Sequence, residues 1–417
     1  MKSVKVIILG AGDRGNAYAE YSLYRGYEME VVGIAEPREY YRSEFSKNYS
    51  IENNYIFNTW EEALEVKKFA DAVIIATPDR MHYLPVIKSL SQGYHVLVEK
   101  PIALSERECK EIVEVSKRSK KIVGVCHVLR HTPYYKKMKN IIDEGIIGKI
   151  ISIEHIEPVG YWHQAHSYIR GNWRNSKTSS PMLLAKSCND LDILSWLINK
   201  PFKKICSFGS LTHLKKENAP KGSSNRCINN YRIEEDCPYS ALKLYLDLQV
   251  TGWPVDVITS DLTHKGRIKA LKEGPYGKCV YHCDNDVVDH QVVCIEFEEG
   301  VTASFTMTAF AGGSRRTRVM GPFGEIVGDS RFIEVTLFKN EQKIIYDTLD
   351  KNNYMVSNHA GFGHNGGDFK IMSNFINAIQ NNDLSIFSSA VEETLESHLM
   401  AFYAEESRQK NKVITRE

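Results

Sequence analysis

Two glycine- and lysine-bearing motifs place reactive groups at the ends of apolar runs in this 417-residue chain. Gly10-Ala11-Gly12-Asp13-Arg14-Gly15 follows the run Val4–Leu9 and opens a helix-like stretch over residues 13–25. In such a turn Gly10 permits the tight bend, Gly12 lets the backbone approach a pyrophosphate, and Gly15 lets the helix pack close to the strand. The helix start presents free N–H groups to phosphates. Glu36 closes a second run, residues 31–35, about 20 residues on, where a carboxylate accepts hydrogen bonds from adenosine ribose hydroxyls. Glu36 repels a 2′-phosphate and favours NAD, whereas Arg38 welcomes one, so NADP stays open.

Lys100 carries the second chemistry. It sits in Glu99-Lys100-Pro101, directly after the apolar run 95–98, and ligands of open α/β sheets bind beyond the carboxyl ends of strands. A lysine partly desolvated beside a cationic nicotinamide gives up its proton more readily. It could take a hydroxyl proton while hydride leaves the same carbon for the ring. Pro101 stiffens the backbone that aims it. The plain alternative is a solvated lysine at a strand end. A third motif, Thr77-Pro78-Asp79-Arg80-Met81-His82, follows the run 72–76. The expected cofactor-binding set is Gly10, Gly12, Asp13, Arg14, Gly15, Glu36, Arg38, Thr77, Pro78, His82, Glu99 and Lys100.

These motifs need elements to hold them. Over the first 125 residues short apolar runs (4–9, 31–35, 72–76, 95–98, 121–125) alternate with helical stretches such as 84–92 and 107–118. Such alternation implies βαβ units and a parallel sheet covered on both faces. After residue 125 the pattern changes. Residues 133–144 and 187–199 read as helices and 149–157 as a strand of period two. Strand-like runs follow at 292–297, 302–308, 316–320, 325–327 and 333–337, broken by Glu299-Gly300, Gly312-Gly313 and Gly321-Pro322. Runs of strands without helices between them predict an antiparallel or mixed sheet. Residues 368–380 and 390–409 close the chain as helices, and the polar stretch 218–236 reads as an inserted loop.

Taken together, the glycine fingerprint, Ala76-Thr77-Pro78-Asp79-Arg80-Met81-His82 and Val96-Leu97-Val98-Glu99-Lys100-Pro101 resemble the glucose–fructose oxidoreductase/inositol dehydrogenase/MocA (Gfo/Idh/MocA) family, whose most specific mark is the Glu-Lys-Pro triplet. The resemblance extends through residues 185–197, 363–368 and 396–408. It implies an α/β fold: a Rossmann dinucleotide-binding domain over residues 1–125, then an α/β domain over 126–417 with a large open, mostly antiparallel sheet for substrate and subunit contacts. It also implies that Lys100 relays the substrate proton, and a homodimer or homotetramer.

One departure from the family pattern stands out. Many relatives carry Asp-x-x-x-His-x-x-Asp at the start of a second-domain helix. Aligned on Asp192, the histidine position is Asn189 and the upstream aspartate position is Ala185. Asn can hold a hydroxyl but cannot titrate, which puts the inositol-dehydrogenase-type relay in doubt. Lys186 is placed to take part of the lost role, while Asp190 and Asp192 read equally well as helix-start residues. The stretch Trp162-His163 to Trp173-Arg174 groups aromatic faces, imidazoles and guanidiniums after a strand, the composition of a pocket wall. The expected substrate set is Trp162, His163, His166, Arg170, Trp173, Arg174, Lys186 and Asn189, with Lys100, His166 and Asn189 catalytic. Arg170 and Arg174 point to an acidic sugar such as a uronate, unless they pair with internal carboxylates. Cys227, Cys237, Cys279 and Cys283 with His282 and His290 lack zinc-site spacing, and no metal is expected.

Composition narrows the class. The chain has 53 basic and 52 acidic side chains, a formal net charge of +1, and lacks the basic excess of nucleic-acid binders. With 42% hydrophobic and 25% charged residues it can build packed cores. No apolar run approaches the ~20 residues of a membrane span, and the start lacks a signal peptide's apolar core. Nine cysteines then read as reduced cytoplasmic thiols. The expected function is an NAD(P)-dependent oxidoreductase acting on a carbinol of a sugar, polyol or sugar acid. Two alternatives stand beside it: a glycoside-cleaving enzyme that uses transient oxidation by retained NAD, and a non-catalytic nucleotide sensor.

Overall fold

The computed structural model describes residues 2–229, 231–349 and 363–416, without the side chains of 231 and 232. Six short strands, β1 (Val4–Leu9), β2 (Met29–Ala35), β3 (Ile56–Phe57), β4 (Ala72–Ile75), β5 (His95–Val98) and β6 (Val123–Val125), pair in parallel in the order β3-β2-β1-β4-β5-β6. Their near-continuous Val/Ile/Leu runs follow from burial on both faces: Val6, Ile8 and Ile74 pack on one side of the sheet, and Ile7, Leu9, Val73 and Ile75 on the other. Strand order reverses between β1 and β4, which opens a crevice beyond their carboxyl ends.

The second sheet has nine strands. In chain order these are β7 (Ser152–Pro158), β8 (Phe202–Ser210), β9 (His290–Phe297), β10 (Thr302–Thr308), β11 (Arg316–Met320), β12 (Gly324–Gly328), β13 (Phe332–Leu337), β14 (Gln342–Asp347) and β15 (Ile414–Thr415), arranged as β14-β13-β12-β11-β7-β10-β9-β8-β15. All pairings are antiparallel except β7 with β10. β8 and β14 escape sequence reading because consecutive lysines in β8 and the half-exposed edge position of β14 blur the period-two signal.

Helices join the two units. α1 (Asp13–Ala19) ends earlier than its pattern suggests; the helix stops at Glu20 and a second short turn brings Tyr21 onto Phe369, with ring centroids 4.8 Å apart. α2 (Glu106–Ser119), capped by the Ser105 hydroxyl accepting from Glu108 N, covers the first sheet. α3 (Pro133–Asp143) and α4 (Cys188–Ile198) pack on the second. α5 (Gly367–Asn381) returns late in the chain to the first sheet, where Ile371, Phe375 and Ile376 join Val6 and Ile8. α6 (Val391–Lys410) is shared: Val391 sits in the core of the first sheet, Leu399, Met400 and Ala404 in that of the second.

The segment read as a polar loop is not loop throughout. Apart from Asn230, outside the described residues, it carries short helical turns at Lys216–Asn218, Cys227–Asn229 and Tyr231–Glu234. It belongs to a longer excursion between β8 and β9, whose own core includes Tyr245, Val255 and Leu271. Among the described residues no helix is long and apolar enough to cross a membrane.

One ion pair is deeply buried in the joint between the units. Arg130, 1% exposed, donates bidentately to Asp192 (2.6 and 2.7 Å) and to the Ser388 carbonyl (2.6 Å). Removing one partner strands the other charge in the interior. Arg130→Leu is expected to cost about 3–5 kcal/mol, read as a lower urea midpoint, and Arg130→Leu with Asp192→Leu to recover much of it.

Candidate active site

The glycine turn fits a dinucleotide. Gly10 has φ +100°, and a Cβ there would lie 2.6 Å from the Ala76 carbonyl oxygen, across the point where strand order reverses. A Cβ on Gly15 would lie 1.9 Å from the Gly10 carbonyl oxygen, so α1 sits as close to β1 as a side-chain-free residue allows. A Cβ on Gly12 would meet nothing within 4 Å, which leaves that backbone open to a ligand.

Glu36, at the end of β2, ties the turn together. Its Oε2 accepts from Ala11 N (2.9 Å) and Arg38 Nη2 (3.0 Å), and its Oε1 from Arg38 N (3.0 Å) and Nε (2.7 Å). Burial raises the carboxyl, but the Arg38 side chain and backbone outweigh it and hold it below its usual range. Arg38 lies over the Tyr41 ring, 4.1 Å from its centroid. Both oxygens of Glu36 are engaged, with the half-exposed Arg38 guanidinium on the outer side.

Arg14 bridges Glu99 (Nε to Oε1, 2.8 Å) and Asp368 at the start of α5 (Nη2 to Oδ1, 2.6 Å). Tyr18 also donates to Glu99 Oε1. The arginine therefore ties the glycine turn, the end of β5 and α5. Asp13 faces Asp368 and Glu99, and burial first, then those charges, raises its carboxyl against the pull of Arg14. His82 bridges the carbonyl oxygens of Thr77 (2.7 Å) and Pro101 (2.6 Å), so it joins two cofactor-side loops from a buried position. Asp79 docks the second unit, accepting from Trp173 Nε1 (3.0 Å) and Ser180 Oγ (2.7 Å).

Lys100 leaves β5 on a clamped loop. Its own N–H donates to Glu99 Oε2 (3.0 Å), and Ile102 N donates to Nε2 of buried His398 on α6 (3.1 Å). Its Nζ donates to the Ala185 carbonyl at 2.5 Å. Ala185 belongs to a π-helical turn, Leu183–Ser187, that leads into α4. A π turn frees carbonyls from the regular i→i+4 ladder and is common at functional sites.

Around this hydrogen bond runs a chain of ion pairs. Lys186 Nζ meets Glu157 Oε1 at 3.3 Å; Glu157 Oε2 meets Arg315 Nε at 2.7 Å; Arg315 Nε donates to Asp190 Oδ1 at 2.5 Å; and His155 Nε2 lies 3.1 Å from the same oxygen. Burial lowers the Lys186 ammonium, only partly offset by Glu157, with Arg315 and Lys100 adding to the fall. Asn189 Oδ1 pairs with Nδ1 of His127, 2.9 Å away. His163 makes no hydrogen bond among the described residues. Burial pushes it down to about 2, with Lys186, Lys100 and Arg315 acting in the same direction. A cavity of about 250 Å³ touches the same chain through Glu157 and Arg315 and is lined also by Tyr135 and His364. His364 and Asn365 there both have positive φ (+53° and +52°), a conformation worth about 1–3 kcal/mol of strain per residue and frequent at ligand sites.

The structure thus brings together Lys100, His163, Lys186 and Asn189. It seats other expected substrate residues elsewhere. His166 pairs with the Tyr245 hydroxyl (2.9 Å) and stacks on Tyr276 (centroids 5.0 Å). Arg170, 1% exposed, donates to the carbonyls of Lys278 and Tyr239 (both 2.7 Å) and to Cys227 Sγ (3.6 Å), beside Cys237, Cys279 and Cys283. Arg174 pairs with Asp284 (2.8 Å). These three hold the excursion, and the two arginines spend their charge there. Trp162 stacks on His163 and meets Trp253 of the excursion edge-on, with centroids 5.6 and 5.3 Å apart. A short segment beyond Trp253 reaches the cofactor unit: Tyr41 OH donates to the Asp256 carbonyl (3.2 Å), and Asp256, raised first by burial, faces Asp13.

Glu157, Arg315, His127 and His398 were not singled out from sequence, and Asp190, read there equally well as a helix-start residue, accepts from Arg315. One signal was available. In β7 the inward positions of the period-two pattern are Ile153, His155 and Glu157, and two polar residues on an apolar face call for an explanation.

Comparison with known proteins agrees with this geometry. Residues 4–127 match the profile described as oxidoreductase family, NAD-binding Rossmann fold, and residues 139–415 that of the oxidoreductase family C-terminal alpha/beta domain. YteT of Bacillus subtilis is 24% identical over 321 residues, 75% of this chain and 73% of that protein. The 2,7-anhydro-N-acetylneuraminate hydratase of Escherichia coli is 30% identical over 174 residues, 42% of this chain and 46% of the hydratase. Among solved structures, scyllo-inositol dehydrogenase of Lactobacillus casei with bound NAD(H) and scyllo-inositol superposes with a TM-score of 0.66 at 17% identity, over 99% of each chain. An Agrobacterium radiobacter oxidoreductase in complex with NAD+, L-tartaric acid and magnesium superposes with a TM-score of 0.72 at 12% identity, covering 99% of this chain and 98% of that one. With both profiles matched along most of its length, the chain belongs to the Gfo/Idh/MocA oxidoreductase family, and its first unit is an NAD-binding Rossmann domain.

Proposed function

We propose that the protein is an NAD-dependent oxidoreductase acting on a carbinol of a sugar-like substrate, with Lys100 as the group that exchanges the hydroxyl proton. The observation that carries this reading is the hydrogen bond from Lys100 Nζ to the Ala185 carbonyl, which holds the side-chain nitrogen beyond the carboxyl end of β5. When bound, the nicotinamide would accept or return the hydride. Gly10, Gly12, Gly15 and Glu36 would hold the dinucleotide, and Arg14 would keep the turn and the Lys100 loop in register through Glu99. As the neutral amine Lys100 Nζ takes the hydroxyl proton while the hydride leaves the carbinol carbon, and as the ammonium so formed it returns that proton in the reverse direction. Asn189 and Lys186 orient substrate oxygens, and His163 lines the site. His82 and His398 position the Lys100 loop without touching substrate.

A second reading uses the same residues with a cofactor that never leaves: transient oxidation that eases elimination at the neighbouring carbon, followed by re-reduction. The segment from Trp253 to Asp256 favours it, because the Tyr41 hydroxyl donates to the Asp256 carbonyl and so ties the excursion to the cofactor unit. The similarity to hydratases of anhydro-sugars fits the same reading. Nine free thiols are consistent with a reducing cytoplasm. On the outer face of the second sheet Phe208 pairs across strands with Val292, and Val327 and Ile345 flank Glu334, all four apolar side chains exposed. We assign this face to a second copy of the chain.

Three measurements test these assignments. Lys100→Ala is expected to bind NAD as the wild type does and to lose at least ~100-fold in kcat, the scale of general acid–base catalysis; full turnover in that variant would overturn the role. In the same assay net NADH supports the first reading, and sugar product without NADH supports the second. Glu36→Ala frees Arg38 and is expected to shift the NADP/NAD affinity ratio at least tenfold toward NADP by equilibrium titration. Sedimentation should find a dimer or larger assembly that Phe208→Glu with Ile345→Lys dissociates; a monomeric wild type sinks that assignment.

A further inference from the structure

We infer that the substrate is a glycoside whose second sugar ring rests in a cavity walled by Tyr161, Trp162 and Tyr239; this rests on the hydride-transfer site proposed above and names what enters it. After β7 the helical turn Tyr161–His163 runs on as a π helix, Gln164–Arg170. Such backbone is rare and concentrates at functional sites. Tyr161, Trp162 and Ala165 of this wall face Tyr239 and Ser240 of the excursion across a cavity of about 370 Å³. Small-molecule sites have that size, ~300–1,000 Å³. Ala165 and Tyr239 are buried, whereas Tyr161 and Trp162 are 47% and 38% exposed. The cavity is therefore closed at its base and open to solvent at an aromatic rim.

The lining selects the occupant. The Tyr161 and Tyr239 rings meet edge-on, with centroids 6.2 Å apart, and neither hydroxyl makes a hydrogen bond among the described residues; nor does the Trp162 indole N–H. A phenol as buried as Tyr239, 8% exposed, ordinarily has a partner. Other polar side chains of the cavity are engaged within the protein. Ser240 Oγ accepts from Leu242 N (3.1 Å) and Lys243 N (3.2 Å) and donates to Glu234, and Lys243 Nζ donates to the Glu235 carbonyl. The open surface is thus aromatic, edged by two hydroxyls that donate and accept and one N–H that donates. A sugar ring is the complement: a C–H face bordered by neutral hydroxyls. A wholly apolar occupant would leave all three groups unpaired. Two exposed rings also fall well short of the ~800 Å² per partner of a stable protein contact.

The cavity adjoins the reaction centre. Trp162 stacks on His163 (centroids 5.6 Å apart, planes 27° apart), and His163 feels the charges of Lys186 and Lys100. Trp253 of the excursion meets both rings edge-on, at 5.3 and 5.1 Å. A ring in the cavity is therefore the neighbour of a ring whose carbinol faces Lys100, as two sugars joined by a glycosidic bond are neighbours.

The test titrates NAD-loaded wild-type protein calorimetrically with cellobiose, maltose and lactose against D-glucose and D-galactose. At least one disaccharide is expected to bind tenfold or more tighter than either of its component sugars. Tyr161→Ala, at the open rim, should abolish that gain and leave the affinities for NAD and for the single sugars unchanged. Tyr239→Phe, which keeps the ring and removes only the hydroxyl, should weaken the disaccharide about fivefold, the scale of one neutral hydrogen bond. Disaccharides binding no tighter than their components, no disaccharide binding at all, or a gain that survives in a folded Tyr161→Ala protein would each overturn the inference. A disaccharide bound with Tyr161 dependence but without Lys100-dependent turnover would instead leave this assignment standing and overturn the hydride-transfer reading.

Discussion

The hydrogen bond between the Lys100 ammonium and the Ala185 carbonyl joins the two halves of the molecule where they face each other. Both ends are fixed independently. Lys100 leaves an interior parallel strand, its N–H is taken by Glu99, and the next residues are caught by His82 and His398. Ala185 lies in a π turn, where the helical ladder is out of step and a carbonyl is free to accept from a side chain. A flexible lysine at a strand end has many rotamers. One buried acceptor at the right distance selects among them, and entropy lost at folding need not be lost again when substrate arrives.

Charges around that bond are arranged more for direction than for stability. Buried ion pairs recover little net free energy once desolvation is counted. The run from Lys186 through Glu157 and Arg315 to Asp190 and His155 does, however, fix which atoms remain available. Asp190 is held by Arg315 and His155, whereas Glu157 Oε2, though 2.7 Å from Arg315 Nε, makes no hydrogen bond.

The excursion between β8 and β9 has two tasks. It anchors on the wall that follows β7, through Arg170, Arg174 and the stacking of His166 on Tyr276, and it presents Trp253 to Trp162 and His163. It also reaches the cofactor unit at Tyr41. The aromatic and basic grouping at residues 161–174 is therefore part pocket and part fastening, a division that composition cannot express because both uses call for the same residue types.

Much of this protein was legible in the chain. The glycine turn, Glu36 and Lys100 are local: each needs only a strand, a turn and the next few residues, so short-range pattern locates them. The parallel sheet and most strands of the second sheet follow from hydrophobic periods for the same reason. What only the tertiary structure decided were pairings between distant segments: Lys186 with Glu157, Arg315 with Asp190, Arg130 with Asp192, Arg170 with the carbonyls of the excursion, and α5 returning to the first sheet. A side chain's type limits what it can bond to, but its actual partner depends on which backbone comes within about 3 Å of it. That is a property of the packed whole, and it decided which cations fasten the fold.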